Sequence, residues 1–377
     1  MQVAIGMGNE AMHAIVHIGA PKAGSSAIQG TIHRDRAAIA RQGIYPFLPS
    51  TGPMNQALST RFRTDQTRLK PNMRMQFDDA DSMQAWSTRC WEELERTVRA
   101  ERPDFTLLSG EPLFNLPRPR RFIDALGELF SKITLLAYVR DPVAHYVSQI
   151  DQKIRGGVRL RDLRTPKDFP YYRAARLERY LAAVGRENMM VRNVDCTNLE
   201  GGDVIADLFA QVARITGRRV DWTAPPRRAN ESLCRAASAW LLSINETFEH
   251  HGSGDRAAIQ RRWELIQRLS EAEALAGLPK LQLTDPELAA LIRHNAREKI
   301  DWLNATFLEG QIPLETAAAP ARIPDEDALR ARMRAWFLGH LKPEIFGPVF
   351  REIVPLTPMQ VTGRPARETG PVTGHAG

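Results

Sequence analysis

An apolar run that ends in a loop of small residues and leads into an amphipathic segment constrains this chain more than any other feature. Residues 14–18 (AIVHI) are predicted to form a short buried strand, and the loop GAPKAG follows at 19–24. The next segment repeats isoleucine on one helical face, at Ile28, Ile32 and Ile39. The predicted helix begins at Ser25 and Ser26, where its unpaired N–H groups, its dipole and the Lys22 ammonium would all face an anion. The segment is therefore predicted to bind phosphate.

The order of residues in this loop differs from that of a nucleoside triphosphatase. A Walker A loop places its lysine after the second glycine and a hydroxyl for magnesium after that, whereas Lys22 precedes Gly24 here. The pattern P-K-x-G-S-S resembles the 5′-phosphosulfate loop of sulfotransferases that use 3′-phosphoadenosine 5′-phosphosulfate (PAPS). The preceding H-I-G resembles the bacterial, carbohydrate or heparan-sulfotransferase-like branch. The resemblance implies that five loop residues bind the donor: Lys22, Ala23, Gly24, Ser25 and Ser26. A strand, turn and helix whose glycines only shape the turn is the alternative.

A second motif has the same strand–turn–helix form. Residues 132–139 (KITLLAYV) read as a strand that ends in Arg140, and Asp141 and Pro142 are a helix N-cap and a first helical residue. Ser148 falls about two turns into that helix. The pattern R-D-P-x-x-x-x-x-S resembles the family's 3′-phosphate motif, which implies that Arg140 and Ser148 bind the 3′-phosphate. The alternative is an ion pair between Arg140 and a nearby carboxylate.

Glu111 is the candidate proton acceptor. Residues 105–109 (FTLLS) read as a third strand, and ligands bind beyond the carboxyl ends of parallel strands, so Glu111 is expected to share an edge with Lys22 and Arg140. The resemblance implies a glutamate base at this point. The alternative is a solvated acid that favours the next helix through its dipole. His17 is the rival base and ranks second, because a histidine inside an apolar strand is more often a hydrogen-bonded core residue.

The alternation of strands and helices predicts an α/β fold with a three-layer parallel sheet flanked by helices. The resemblance implies that this is a P-loop-like sulfotransferase fold with a helical C-terminal elaboration. We expect a lead-in at 1–13, a sulfotransferase-like domain at 14–225, a helical subdomain or cap at 226–354 and a disordered tail at 355–377. Two local expectations accompany this division. Residues 51–82 are predicted to form a loop or lid, and residues 287–307 a single amphipathic helix.

Composition restricts the partners and the compartment. A net charge of +7 suits a polyanionic donor, while basic residues without interleaved aromatics do not predict nucleic-acid binding. Three widely spaced cysteines predict neither a disulfide framework nor a zinc site, and no metal is expected. No apolar run approaches the ~18 residues of a membrane span, and no secretory signal is evident. These observations predict a cytoplasmic protein.

The resemblance implies sulfuryl transfer from PAPS to a hydroxyl or amine of a small-molecule or carbohydrate-type acceptor. Lys22 would neutralise the leaving phosphate, and Glu111 would take the acceptor's proton. The chain lacks an evident R-K-G element that many relatives close over the nucleotide, and Arg227 and Arg228 are weak substitutes. Two alternatives stay open: a P-loop-type nucleotide kinase or NTPase, and a non-catalytic nucleotide- or glycan-binding relative.

Overall fold

A five-stranded parallel sheet forms the centre of the computed structural model. The structure describes residues 12–20, 23–50, 54–63, 77, 79–224, 233–247, 256–339 and 349. Within these residues the strands span His13–His17 (β1), Ile44–Pro46 (β2), Phe105–Ser109 (β3), Lys132–Val139 (β4) and Met189–Asn193 (β5). They lie in the order β2, β3, β1, β4, β5, and all pairings are parallel. The fold is an α/β sheet flanked by helices, as the alternation of strands and helices predicted.

The strands form where apolar residues run without interruption, which is typical of a parallel sheet covered on both faces. All five residues of β1 are buried, and so are the last six of β4. The strands predicted at 105–109 and 132–139 are confirmed to the residue. β1 begins and ends one residue earlier than predicted.

Helices connect and cover the strands. In chain order the described α-helices are Ser25–Arg34 (α1), Arg36–Arg41 (α2), Met54–Thr60 (α3), Ala80–Glu101 (α4), Pro119–Gly127 (α5), Pro142–Arg155 (α6), Arg173–Val184 (α7), Val204–Thr216 (α8), Arg235–Thr247 (α9), Arg256–Glu271 (α10), Pro286–Asn295 (α11), Arg297–Phe307 (α12) and Glu326–Leu338 (α13). Short 3₁₀ helices join several of them, and the one at Glu111–Asn115 follows β3.

The prediction of one helix over residues 287–307 is wrong. α11 ends at Asn295 and α12 begins at Arg297, with Ala296 between them at φ −94° and ψ −3°. The Asn295 side chain donates to the carbonyls of Pro166 and Lys167 from a distant segment, the latter at 3.1 Å. Apolar periodicity continues through the break, so the pattern alone could not locate it.

The prediction that residues 51–82 form only a loop or lid is also wrong in part. α3 occupies Met54–Thr60, and α4 begins at Ala80, where Asp79 accepts a hydrogen bond from the Ser82 N–H at 2.7 Å. The Ser87 hydroxyl of α4 donates to the carbonyl of Ala57 in α3 at 2.6 Å. This contact between the two helices stabilises a segment whose own sequence is poor in helix signals. Residues 64–76 and the predicted tail at 355–377 lie outside the described residues.

The helices of the C-terminal half pack against α6 rather than standing apart from the sheet domain. The Ser238 hydroxyl of α9 donates to buried Asp151 of α6 at 3.0 Å. Tyr146 of α6 stacks on Trp336 of α13 with ring centroids 6.3 Å apart. Residues of both halves belong to one packed apolar core. The division at residue 225 stays a prediction.

Candidate functional site

The strand order places a switch point, where the chain connections diverge, beyond the carboxyl ends of β1 and β4. The chain leaves β1 toward β2 on one side of the sheet and leaves β4 toward β5 on the other, so the connections diverge. In open α/β sheets such a divergence creates a ligand crevice. His17 pairs with Ser109 of β3 and with Leu136 of β4, and the Gly110 N–H donates to the His17 carbonyl at 3.0 Å. The exits of the three strands therefore meet at one edge.

The N-terminus of α1 opens into this edge. Gly24 precedes the helix with a left-handed φ of 86°, and a Cβ there would lie 2.5 Å from Val204 Cγ1. Glycine is thus required for both its conformation and its space. Among the described residues no side chain caps α1, and its first turn carries no acid. Ser26 is exposed at this end. Uncapped N–H groups and the helix dipole make the position suited to an anion. Lys22 lies outside the described residues.

The loop before α1 packs tightly on itself. The Ser25 hydroxyl donates to the Ala20 carbonyl at 3.3 Å, and Ser25 is only 2% exposed. A Cβ on Gly19 would lie 2.3 Å from Ser25 Oγ and 3.2 Å from His17 Cε1. Of the two serines predicted to bind the donor, Ser26 is exposed, whereas Ser25 uses its hydroxyl to hydrogen-bond the loop backbone. The buried Ala23 N–H donates back to Ala20 at 3.2 Å.

His17 is a buried histidine at the end of β1. Its Nδ1 lies 2.8 Å from the Ser109 hydroxyl, and the two share a hydrogen bond between neighbouring strands. Complete burial lowers the pKa of His17 to about 3, so the ring is neutral near neutral pH. Its Nε2 has no hydrogen-bond partner among the residues described. This buried, hydrogen-bonded position agrees with the interpretation of His17 as a core residue. Its role as the rival base stays a prediction.

Arg140 follows β4 and is half-buried. Its carbonyl accepts a hydrogen bond from the Tyr171 hydroxyl at 2.9 Å. Asp141 accepts from the N–H groups of Val143 and Ala144 and so caps α6, as its sequence position predicted. Burial lowers the pKa of Arg140, and the Asp141 carboxylate opposes that effect. A guanidinium keeps its charge through such a shift, so Arg140 offers a fixed fork to an anion.

Ser148 lies on the second turn of α6 and is 7% exposed.

The C-terminal end of α6 is held by side chains that the sequence analysis did not identify. Arg262 donates to the carbonyls of Ile154 and Arg155 at 2.6 and 2.8 Å, and burial lowers its pKa to about 10. The Asn245 amide donates to the Ile154 carbonyl at 2.9 Å. Helix α6 is therefore fixed by residues about 90 or more positions away in the chain.

Glu111 begins the 3₁₀ helix that follows β3 and is half-buried. It interacts electrostatically with Arg173, the first residue of α7, which is fully buried. Arg173 also interacts electrostatically with Arg140, so one buried guanidinium acts on the residues at both strand exits. Sequence reasoning missed Arg173, because its position in an amphipathic helix resembles that of an exposed arginine.

The arrangement combines an uncapped helix N-terminus, a guanidinium and a carboxylate at one sheet edge. The first two suit an anionic ligand, and a carboxylate can accept a proton from a bound hydroxyl. The described part of the chain holds no group of three or more His, Cys, Asp or Glu that could ligate a metal. In the same residues, none of the helices combines the length and the apolar character needed to cross a membrane.

Comparison with known proteins gives a likeness among solved structures. No protein family model and no curated protein sequence matches the chain. Among solved structures, it is similar to the crystal structure of a sulfotransferase from Alicyclobacillus acidocaldarius, with 16% sequence identity and a TM-score of 0.32. That alignment covers 61% of this chain and 91% of the other.

Proposed function

We propose that this protein is a sulfotransferase that moves a sulfuryl group from PAPS to a hydroxyl or amine of a small-molecule or carbohydrate-type acceptor. The observation that carries the proposal is that the uncapped N-terminus of α1 and the Arg140 exit lie at the ends of the adjacent strands β1 and β4. PAPS carries a 5′-phosphosulfate and a 3′-phosphate on one nucleoside, and these two groups match the anion sites proposed at the N-terminus of α1 and at Arg140. The order P-K-x-G-S-S followed by R-D-P-x-x-x-x-x-S supports the same donor, and the likeness of H-I-G favours the bacterial, carbohydrate-type branch.

The residues present fit such a donor. The N–H groups of Gly24, Ser25 and Ser26, the Ser26 hydroxyl and Lys22 would bind the 5′-phosphosulfate, because no acid in the first turn of α1 opposes an anion there. The Ala23 N–H, predicted to join them, is already bound to the Ala20 carbonyl. Arg140 and Ser148 would bind the 3′-phosphate. Gly24 allows the backbone to approach the ligand closely.

The proposed reaction is an in-line displacement at sulfur. The acceptor oxygen or nitrogen forms a bond to sulfur while the bond from sulfur to the 5′-phosphate oxygen breaks, and adenosine 3′,5′-bisphosphate leaves. Glu111 takes the acceptor's proton as the new bond forms. Lys22 and the N–H groups of α1 stabilise the charge that develops on the leaving phosphate. His17 is the alternative proton acceptor, and its burial ranks it below Glu111.

Ligand-dependent melting and a transfer assay test the proposal. Adenosine 3′,5′-bisphosphate should raise the melting temperature by linkage, and AMP should raise it far less. Radiolabelled PAPS should then transfer its sulfate to members of a panel of hydroxyl and amine acceptors. Equal shifts from both nucleotides would remove the 3′-phosphate site. Tight binding without transfer to any acceptor would favour a non-catalytic relative, and magnesium-dependent hydrolysis of ATP would favour an NTPase.

We also infer a reducing compartment, the cytoplasm, for this protein. Its three cysteines are free, and Cys196 is exposed. Exposed free thiols persist where glutathione keeps them reduced. Fractionation of the source cells tests this inference, and recovery of the protein outside the cytoplasm would contradict it.

A further inference from the structure

Arg173 is the largest side chain that the described structure buries completely. Removing a guanidinium from water is unfavourable unless other groups compensate the charge. Burial accordingly lowers the pKa of Arg173, and the Arg140 charge lowers it further. The phenols of Tyr171 and Tyr172 and the Glu111 carboxylate raise it. An apolar side chain would fill the same volume at lower cost, which indicates that the charge itself is used.

The segment around Arg173 is fastened to both strand exits of the candidate site. Arg173 donates from a terminal guanidinium nitrogen to the Tyr138 carbonyl of β4, with the two atoms 3.5 Å apart. Two residues earlier, the Tyr171 hydroxyl donates to the Arg140 carbonyl. At the other end of α7, the Tyr180 hydroxyl donates to the carbonyl of Leu113 in the 3₁₀ helix that Glu111 begins. Helix α7 thus spans from the Arg140 exit to the Glu111 exit.

The charges that face Arg173 come from three elements. The Glu111 carboxylate attracts it from the 3₁₀ helix, and the Arg140 guanidinium repels it from the end of β4. His145 faces it from α6, where burial, Arg173 and Arg140 lower the histidine pKa to about 2, so this ring is neutral. The Asp141 carboxylate acts on Arg140, whereas Glu111 is the carboxylate that attracts Arg173 and Arg140 is the cation that repels it.

We propose that Arg173 is a positioning residue of the transfer site, which draws the Glu111 carboxylate inward and directs the Arg140 guanidinium outward to the crevice. This inference rests on the proposed function for its effect on transfer. Its effect on Glu111 is independent of that function. Because the guanidinium is shielded from solvent, it acts through these two residues and makes no contact with a ligand.

A double-mutant cycle on thermal unfolding tests the coupling without any ligand. Glu111→Gln leaves the buried guanidinium less compensated and should lower the melting temperature by several degrees. In an Arg173→Met background the same change should lower it much less. Equal losses in the two backgrounds would overturn the proposal. Glu128→Gln, an exposed glutamate outside the site, is the matched control and should have little effect in either background.

If Arg173→Met yields no folded protein, the coupling is tested by comparing the melting temperatures of two single variants. Glu111→Gln is then set against Glu128→Gln in the native background. A loss at Glu111 no larger than that at Glu128 overturns the proposal, whereas a clearly larger loss supports it.

A kinetic comparison tests the positioning role. Arg173→Met should lower kcat by ~10–100-fold with a smaller effect on the acceptor KM, because misplaced catalytic groups cost rate more than binding. Arg173→Lys should recover part of that loss. Arg179→Met removes an exposed arginine from the same helix and should leave kcat unchanged. Full activity of Arg173→Met would overturn the positioning role. A native protein without transfer would contradict the proposed function alone, since the unfolding cycle still decides whether Arg173 acts on Glu111.

Discussion

The Arg293 guanidinium of α11 lies 3.2 Å from Oδ2 of Asp141, the residue that follows Arg140 and caps α6. The other carboxylate oxygen of Asp141 accepts from the first turn of α6. One carboxylate therefore joins a C-terminal helix to the helix that carries Ser148. Arg262 binds the opposite end of α6. The C-terminal helices thus hold both ends of α6, the helix that carries Ser148.

The pair between Arg293 and Asp141 should contribute modestly to stability. The Arg293 side chain is 29% exposed and also pairs with Glu315 at 2.8 Å. We expect Arg293→Met to lower the free energy of unfolding by about 0.5–1 kcal/mol, as measured in urea. Arg297→Met is the control, because Arg297 is more exposed and lies 3.7 Å from Asp301. Equal losses in the two variants would mean that the link to Asp141 stabilises nothing further.

Arg140 should contribute to binding of the 3′-phosphate of the donor. Arg140→Ala is expected to weaken the binding of adenosine 3′,5′-bisphosphate by ~1.5–3 kcal/mol, the usual contribution of a charged hydrogen bond. Binding of AMP, which lacks the 3′-phosphate, should change little. Isothermal titration calorimetry measures both. Arg89→Ala, at an exposed arginine of α4, is the control. Unchanged affinity for the bisphosphate in Arg140→Ala would place its 3′-phosphate elsewhere.

Glu111 should affect transfer rather than donor binding. Glu111→Gln keeps the shape of the side chain and removes the proton acceptor, so kcat should fall by ~10²–10⁴ while bisphosphate affinity stays near that of the native protein. A role limited to the helix dipole predicts normal turnover instead. If Glu111→Gln stays active while a folded His17→Asn is inactive and binds donor, the role of base passes to His17.

Gly24 should be intolerant of any side chain. Gly24→Ala combines a left-handed φ of 86° with a Cβ that would lie 2.5 Å from Val204 Cγ1. A loss of at least ~1 kcal/mol in unfolding free energy is expected, together with weaker bisphosphate binding. Gly30→Ala in the same helix is the control, since a Cβ there meets nothing within 4 Å and should stabilise by ~0.5–1 kcal/mol. A neutral Gly24→Ala would show that the loop adapts.

Asp207 should make stability dependent on pH. This fully buried residue of α8 accepts hydrogen bonds from Tyr138 at 2.9 Å and from Arg192 at 2.8 Å. Burial alone would raise the pKa of Asp207, but the Arg192 charge, the Glu200 N–H and the Tyr138 hydroxyl together lower it below the ordinary 3.8. A carboxyl whose pKa is lower in the folded state stabilises the fold above its unfolded pKa. The contribution is lost as pH falls through the folded pKa.

Urea unfolding over the range of about pH 5 to pH 2 measures this dependence. Asp207→Asn should lower the unfolding free energy near neutral pH by ~3–5 kcal/mol, because Arg192 loses its partner, and should flatten the acid limb. Asp124→Asn, at an exposed pair with Arg120, should change it by less than ~0.5 kcal/mol. An acid limb of equal slope in Asp207→Asn would assign the pH dependence to other carboxyl groups.

Much of the sheet could be predicted because its signals are local. Apolar runs marked the strands at 105–109 and 132–139, and Asp141 and Pro142 marked the start of α6. The phosphate-binding role of the loop before α1 was inferred in the same way, from the residues between a strand and a helix, and it stays a prediction. Such signals lie within a few residues of the structure that they form, so they do not depend on the rest of the chain.

The sequence by itself therefore determined β1, β3 and β4, the uncapped helix start and the chemistry available at Glu111 and Arg140. Only the tertiary structure decided which distant side chains hold that chemistry in place. Burial of Arg173 depends on helix α7 reaching both strand exits, and the break at Ala296 accompanies a contact with a segment about 130 residues earlier. These features depend on contacts between residues far apart in the chain, and such contacts leave no periodic signal in the segments that make them.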